Sequence, residues 1–264
     1  MKIKYYLFTC MVVVFSTTLF GQKTITVEDI WKNYKFYHQG IPGFNTTPDG
    51  DYYTTMNRLA IEKFKFVNSE KTATLLNNAD LKAMNSPFQI KDIQDYSFDN
   101  SVKKILVATQ LESIYRRSSK AFYYVVDLEK KTVVAVADSS LGKQSFATFS
   151  PDGSKVAFVR GNNLFMKDLN SQTEIQITKD GLDRHIINGM ADWVYEEELD
   201  MSQCFYWSPD GENIAFLRFD ESRVKEFTLT YYGGLYPYEY RYKYPKAGED
   251  NSLVNVLHTN NSVI

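Results

Sequence analysis

Apolar and polar positions in this chain fall into short blocks, each opened by a polar turn. Four related turns recur, Thr47-Pro48-Asp49-Gly50, Ser97-Phe98-Asp99-Asn100, Ser150-Pro151-Asp152-Gly153 and Ser208-Pro209-Asp210-Gly211. Proline presets φ where it is present, and Asp-Gly or Asp-Asn tolerates left-handed backbone positions. An apolar run follows, as in Lys103 to Ala108, Lys155 to Val159 and Asn213 to Leu217. In the middle two blocks a second pair of runs comes next. Phe122 to Leu128 meets a polar turn and then Thr132 to Val136, and Asn163 to Leu169 meets one and then Glu174 to Ile177. Each block therefore predicts four short antiparallel strands, and units of about 40–50 residues built this way predict propeller blades. A β-sandwich with recurring turns is the competing arrangement. The fixed order of turn, core strand, hairpin and outer strand favours an all-β, partial β-propeller of about four four-stranded blades over residues 41–264.

The chain before the first turn has a different period. Val27, Ile30, Trp31 and Tyr34 recur at helical spacing, which predicts a short N-terminal helix within residues 22–40. Ahead of it, Lys2 and Lys4 precede a largely apolar run from Tyr5 to Phe20, and Gly21 offers a small residue for cleavage. That pattern predicts a signal peptide over residues 1–21 and export to a periplasm or the outside, with an uncleaved N-terminal membrane anchor as the alternative. Removing the signal takes Cys10 with it and leaves Cys204 as a single cysteine in an apolar-aromatic stretch, which predicts a buried, inert thiol. The 264 residues are 44% hydrophobic and 23% charged, ordinary for a globular chain. The 19 tyrosines and 18 phenylalanines favour strands. A formal charge of −2 without a basic block gives no reason to expect nucleic acid.

Two stretches stand outside the blade pattern. One runs from Tyr231 to Gly248 and is crowded with tyrosines, which serve either as packing or as a binding surface. The other is Asn188 to Leu199, where Glu196, Glu197 and Glu198 follow the anchor Asp192-Trp193-Val194-Tyr195. Three adjacent carboxylates resist joint ionisation, and a bound cation relieves that cost. A peptide's terminal ammonium, a point charge with three donors, is the candidate cation. The plainer reading is an acidic first turn of a surface helix, with Asp192 as N-cap and the glutamates favoured by the helix dipole.

The wording of these stretches resembles the N-terminal propeller region of dipeptidyl peptidase IV and its relatives, the prolyl-oligopeptidase-type (S9 family) serine exopeptidases. Asp192-Trp193-Val194-Tyr195-Glu196-Glu197-Glu198 carries the likeness most specifically, with Tyr244-Pro245-Lys246-Ala247-Gly248 downstream and Tyr115-Arg116-Arg117-Ser118 upstream. The resemblance implies that Glu197 and Glu198 hold the free N-terminus of a peptide substrate and that Arg116 contacts a substrate backbone carbonyl. It implies an exopeptidase that releases N-terminal dipeptides (tripeptides in some relatives), usually after proline or alanine.

The family's catalytic Ser, Asp and His lie in a C-terminal α/β-hydrolase domain, with the nucleophile in a Gly-x-Ser-x-Gly elbow. No such elbow occurs in this sequence, and His38, His185 and His258 have no nucleophile context. The expectation is a chain that recognises substrate, contains no catalytic residue, is inactive alone and depends on a hydrolase domain it does not itself contain. A stand-alone half-propeller that captures peptide N-termini or docks a protein partner is the alternative. No cofactor or metal is expected, since neither a His/Cys cluster nor an Asp-rich calcium loop is present. A homodimer of the parent enzyme stays open.

Overall fold

A computed structural model of the chain describes residues 24–260 apart from 39, 58, 59, 85 and 89. The expected signal peptide lies outside the described residues. The chain divides into two compact units, one up to Ile41 and one from Pro42 onward. The first holds helix α1, Val27–Trp31, capped by the Thr26 hydroxyl, which accepts from the Asp29 amide. The helix is shorter than the apolar spacing suggests. Tyr34 lies beyond it at φ 47°, and Val27, Ile30 and Trp31 are exposed.

The second unit is a series of antiparallel sheets. Strands β1 (Asn45–Thr46), β2 (Tyr52–Asn57), β3 (Ala60–Lys65) and β4 (Lys71–Leu76) form the first, in chain order. A short helix α2, Asn78–Ala83, closed by a capping box between Asn77 and Asp80, leads to the second. That sheet is β5 (Asp95–Phe98), β6 (Lys104–Ser113), β7 (Ser119–Asp127) and β8 (Thr132–Ala135). The third is β9 (Ser145–Phe149), β10 (Lys155–Arg160), β11 (Asn163–Asp168) and β12 (Glu174–Gln176). Each is a four-stranded up-and-down meander, so the partial propeller expected from the repeat is the observed fold.

The fourth sheet is interrupted. Its centre is β15, Asn213–Asp220. One edge of β15 pairs with β14 (Phe205–Trp207) along its first half and with β13 (Ile186–Asn188) along its second. The other edge pairs with β18, Leu253–Asn260, from Asn213↔Asn260 to Asp220↔Leu253. Helix α3, Trp193–Leu199, is inserted between β13 and β14. A hairpin, β16 (Glu226–Tyr231) with β17 (Tyr238–Lys243), is inserted between β15 and β18 as a separate two-stranded sheet.

The sheets stack face to face, which explains why their core strands read as continuous apolar runs. On β6, Ile105 and Val107 join Ile61, Leu76 and Tyr96 in the core shared with the first sheet, while Leu106 faces Phe149 and Phe158 of the third. On β10, Val156 and Phe158 face the second sheet, and Ala157 and Val159 face Phe205, Ile214 and Phe216 of the fourth. A strand buried on both faces needs apolar residues at every position, so the period of two disappears. Each of these buried large side chains contributes about 1.5–3 kcal/mol.

Three of the four recurring turns form at the residues that the sequence pattern marks. The amides of Gly50, Gly153 and Gly211 donate to the carbonyls of Thr47, Ser150 and Ser208 at 3.0, 2.8 and 2.9 Å. Asp49, Asp152 and Asp210 accept from the amides two residues on and from the hydroxyl that opens each turn. The second turn lacks proline and glycine and closes in the same way two residues later, over Asp99 to Val102: the Val102 amide donates to the Asp99 carbonyl at 3.0 Å, Val102 takes a left-handed φ of 56°, and Ser97 and Phe98 belong to β5. Buried Asp99 closes it by accepting from the amides of Lys103 and Lys104 at 2.9 and 2.7 Å. Turns of neighbouring sheets meet, since Asn100 donates its side-chain amide to the Pro151 carbonyl at 2.8 Å. Gly153 sits at φ 67°, and a Cβ there would lie 3.1 Å from the Asp99 carboxylate. Both the left-handed backbone and the close approach require glycine at this turn.

Candidate functional site

Helix α3 forms where the sequence places an N-cap. Asp192 Oδ1 accepts from the Tyr195 amide at 2.9 Å, and its other oxygen accepts from the Ser252 hydroxyl at 2.6 Å. The aromatic half of the motif anchors the helix. Tyr195 packs edge-on against Phe219 of β15, with ring centroids 5.0 Å apart. Trp193 lies against Tyr244, with centroids 4.5 Å apart, so the Tyr244–Gly248 stretch comes up against the glutamate motif. The helix ends at Asp200, which takes a left-handed φ of 56°.

Only Glu196 falls in the first turn, and the last turn holds no basic residue. Glu197 and Glu198 therefore lie toward the C-terminal end, where the helix dipole disfavours negative charge. The plainer reading of the motif as a dipole-stabilised acidic first turn does not account for them. Their stabilisation has to come from outside the helix.

For Glu197 it comes from Arg116. The Arg116 Nε lies 3.0 Å from Glu197 Oε2 and donates to Oε1 at 3.2 Å. The guanidinium side is open, with the Arg116 side chain 73% exposed and that of Glu197 15% exposed. Glu198 is exposed, and among the described residues it has no ion pair or hydrogen bond to its carboxylate. The structure thus brings Arg116 and Glu197 together and leaves Glu198 beside them on the helix. One carboxylate is paired with the guanidinium and the next is left without a described counter-charge, so the site carries an excess negative charge.

Arg116 reaches the helix from the loop that joins β6 to β7. The loop is closed by the Ile114 amide donating to the Ser118 carbonyl at 2.9 Å and by the Tyr115 amide donating to the Ser118 hydroxyl at 3.2 Å. Glu196 is fully buried, and its Oε1 accepts from the amides of Arg117 and Ser118 at 2.6 and 2.9 Å. Arg117 returns the contact, donating from Nη1 to the Glu196 carbonyl at 2.7 Å and pairing through Nη2 with Asp200. The resemblance had singled out Arg116 for a role. Glu196 and Arg117 are what hold its loop to α3, and nothing in the local sequence marks Glu196 for that part.

Behind the helix lies a second group that the sequence does not reveal. Glu221 is 5% exposed, and burial pushes its carboxyl up to about 7, with Asp192 and Asp183 adding to the rise and Lys243 and Arg184 opposing it. It borders a cavity of about 450 Å³ together with Tyr115, Arg184, Tyr240, Tyr242 and Lys243. Burial also raises the Tyr115 phenol, so this ring keeps its proton. In sequence, Glu221 between Asp220 and Ser222 reads only as part of a polar turn. Cys204 is buried, and burial pushes its thiol up to about 12, leaving no thiolate for chemistry. Among the described residues, no group of three His, Cys, Asp or Glu side chains is placed to hold a metal ion.

Comparison with known proteins gives the family of the chain. Residues 99–262 match the family described as the dipeptidyl peptidase IV (DPP IV) N-terminal region. The chain is similar to dipeptidyl peptidase 4 of Trichophyton tonsurans, 37% identical over 171 residues, which cover 62% of this chain and 22% of that protein. It is similar to prolyl endopeptidase FAP of Mus musculus, 29% identical over 238 residues, 89% of this chain and 30% of that protein. Among solved structures it resembles Porphyromonas gingivalis dipeptidyl peptidase 4, with a TM-score of 0.82 and 40% identity, covering 91% of this chain and 34% of that one. The chain thus spans about a fifth to a third of the length of these relatives. With its family match running from the second sheet through β18, the chain belongs to the family of dipeptidyl peptidase IV N-terminal regions.

Proposed function

We propose that this chain is the substrate-recognition part of a dipeptidyl peptidase IV-like serine exopeptidase that removes N-terminal dipeptides, of the Xaa-Pro or Xaa-Ala type. The observation that carries the reading is the excess carboxylate at the end of α3. Glu197 is paired with Arg116, Glu198 is exposed and has no described partner, and neither is favoured by the helix dipole. A peptide ammonium supplies the missing positive charge and three donors, and charge-assisted hydrogen bonds to carboxylates are worth about 1.5–3 kcal/mol each. Holding the amine fixes how far the peptide reaches, and so which bond meets the nucleophile. Arg116, exposed beside the pair, is free to donate to a peptide carbonyl. Bond cleavage belongs to a Ser-Asp-His triad outside these 264 residues.

The test compares a peptide with a free N-terminus and its N-acetylated form, titrated against the full chain by NMR. The free peptide should shift resonances around Glu197, Glu198 and Arg116, and the acetylated one should not. In a complete enzyme carrying this region, Glu197→Gln should lower kcat/KM by about 2–4 kcal/mol in transition-state binding. Equal binding of the two peptides, or undiminished turnover in the variant, would reject the amine site.

The proposal includes export, on the strength of Lys2, Lys4 and the apolar run before Gly21. N-terminal sequencing of protein recovered from outside the cytoplasm checks it. It also includes a homodimer of the complete enzyme, supported by the apolar tip of the β16–β17 hairpin, where Tyr232, Leu235 and Tyr236 are largely exposed. Sedimentation of the enzyme as a monomer would remove that element.

A further inference from the structure

The three glutamates of α3 differ sharply in what surrounds them. Glu196 alone is fully buried. A buried carboxylate is costly unless its oxygens are satisfied. Oε1 is satisfied by two backbone donors, whereas Oε2 has no hydrogen-bond partner among the described residues. A side chain that served only to fill space would avoid that cost by being apolar. What the carboxylate supplies is reach and acceptor strength at one point, the successive amides of Arg117 and Ser118. Those amides directly follow Arg116.

We infer that Glu196 is a positioning residue, whose carboxylate clamps the 114–118 loop to α3 and so sets the Arg116 guanidinium opposite Glu197. This inference rests on the reading of Glu197 and Glu198 as the amine site. The clamp has two strands that run in opposite directions. The helix side chain holds the loop backbone, and the Arg117 side chain holds the helix backbone at the Glu196 carbonyl and the helix end at Asp200. Arg116 itself is tied down by little else, since its side chain is mostly exposed and Glu197 is its described partner. A long, exposed side chain on an untethered loop would sample many positions, and recognition geometry loses its effect over a displacement of about 1 Å. The clamp therefore turns three residues from two distant parts of the chain into one preformed surface for an ammonium and the carbonyl behind it.

The experiment measures two things in the full chain: amide hydrogen exchange at Arg117 and Ser118, and affinity for a proline-containing peptide with a free N-terminus. Glu196→Ala should raise exchange at both amides and weaken the peptide at least tenfold. Glu197→Gln should weaken the peptide comparably while both amides stay protected. Glu196→Gln keeps an oxygen at the same reach and should retain most of the affinity. Glu196→Asp keeps the charge but is one methylene shorter, and it should lose affinity. The Gln and Asp variants decide the matter if Glu196→Ala does not fold, because a role resting on charge would order them the other way, and a role in general stability would lower the denaturation midpoint of Glu196→Asp without raising exchange selectively at Arg117 and Ser118. Affinity within twofold of the parent in Glu196→Ala, with the peptide clearly weakened in Glu197→Gln, would overturn the positioning role and leave the amine site standing. Undiminished affinity in Glu197→Gln would overturn both.

Discussion

The third and fourth sheets are built around the same turn and the same core strand, yet they spend their residues differently. In the third, β9 to β12 follow one another with short connections, and β10 is buried on both faces. In the fourth, the connection before β14 holds α3 and the connection after β15 holds the β16–β17 hairpin. The first edge of β15 is covered by two short strands instead of one. The regular sheet supplies packing. The interrupted sheet supplies a rigid floor from which the unusual groups project, Glu196 to Glu198 on one insertion and Tyr240, Tyr242 and Lys243 on the other. Stability and chemistry are therefore separable here, and substitutions in the two sheets should sort accordingly.

The largest effect should come from the regular sheet. Phe158 is fully buried between the second and third sheets and stacks on Phe165, with centroids 5.6 Å apart. Phe158→Ala should cost about 3–5 kcal/mol, read as a fall in the denaturation midpoint of the full chain. A loss under about 1 kcal/mol would mean that the sheets do not carry the stability through their facing sides.

That division also governs how much was legible beforehand. The turns at residues 47–50, 150–153 and 208–211 announce their geometry locally, because proline, aspartate and glycine act on their own backbone. The blades follow from them. Asp192 as an N-cap is equally local. The β13–β15–β18 arrangement is not, since β18 returns to β15 only after the hairpin, and a strand's partner across such an insertion is chosen by packing. Glu221 and Glu196 were hidden for the same reason. Their character comes from burial and from groups far away in sequence, the Asp192 charge adding to the effect of burial on Glu221 and the 117–118 amides holding Glu196. The pairing of Arg116 with Glu197 joins two distant segments, and only the family resemblance had linked them.

An intermediate effect should come from Glu221, on the interrupted sheet. Its carboxyl is pushed from the ordinary glutamate range, near 4.5, up to about 7, chiefly by burial. The folded chain therefore holds a proton that the unfolded chain releases between those values. Stability from this group falls as pH rises from about 4.5 to 7 and then levels, a total of about 3 kcal/mol. Glu221→Gln removes the titration. The variant should match the parent in acid and exceed it by about 2–3 kcal/mol above neutrality, measured as denaturant midpoints across that range. A difference that does not change with pH would show that Glu221 is not held neutral by its surroundings, and that the fourth sheet carries no such strain.

The smallest effect on stability should come from the residue closest to the proposed chemistry. Arg116 and Glu197 form a well-placed pair, but the arginine is largely in water. The attraction of an exposed pair is offset by solvent screening and by the entropy of fixing two long side chains, which leaves about 0–1 kcal/mol. Arg116→Ala should accordingly shift the denaturation midpoint by no more than that. The shift should shrink further in about 1 M salt, where the screening length is about 3 Å. The loop should remain in place, because its backbone is held by Glu196 and by Arg117, neither of which depends on the Arg116 side chain. Peptide affinity, in contrast, should fall clearly, since the donor to the peptide carbonyl is gone. If instead Arg116→Ala costs more than about 2 kcal/mol and the loss persists in high salt, the pair is a brace between the second and fourth sheets. The separation drawn between a stabilising sheet and a chemical one would then fail at the very residues that define it.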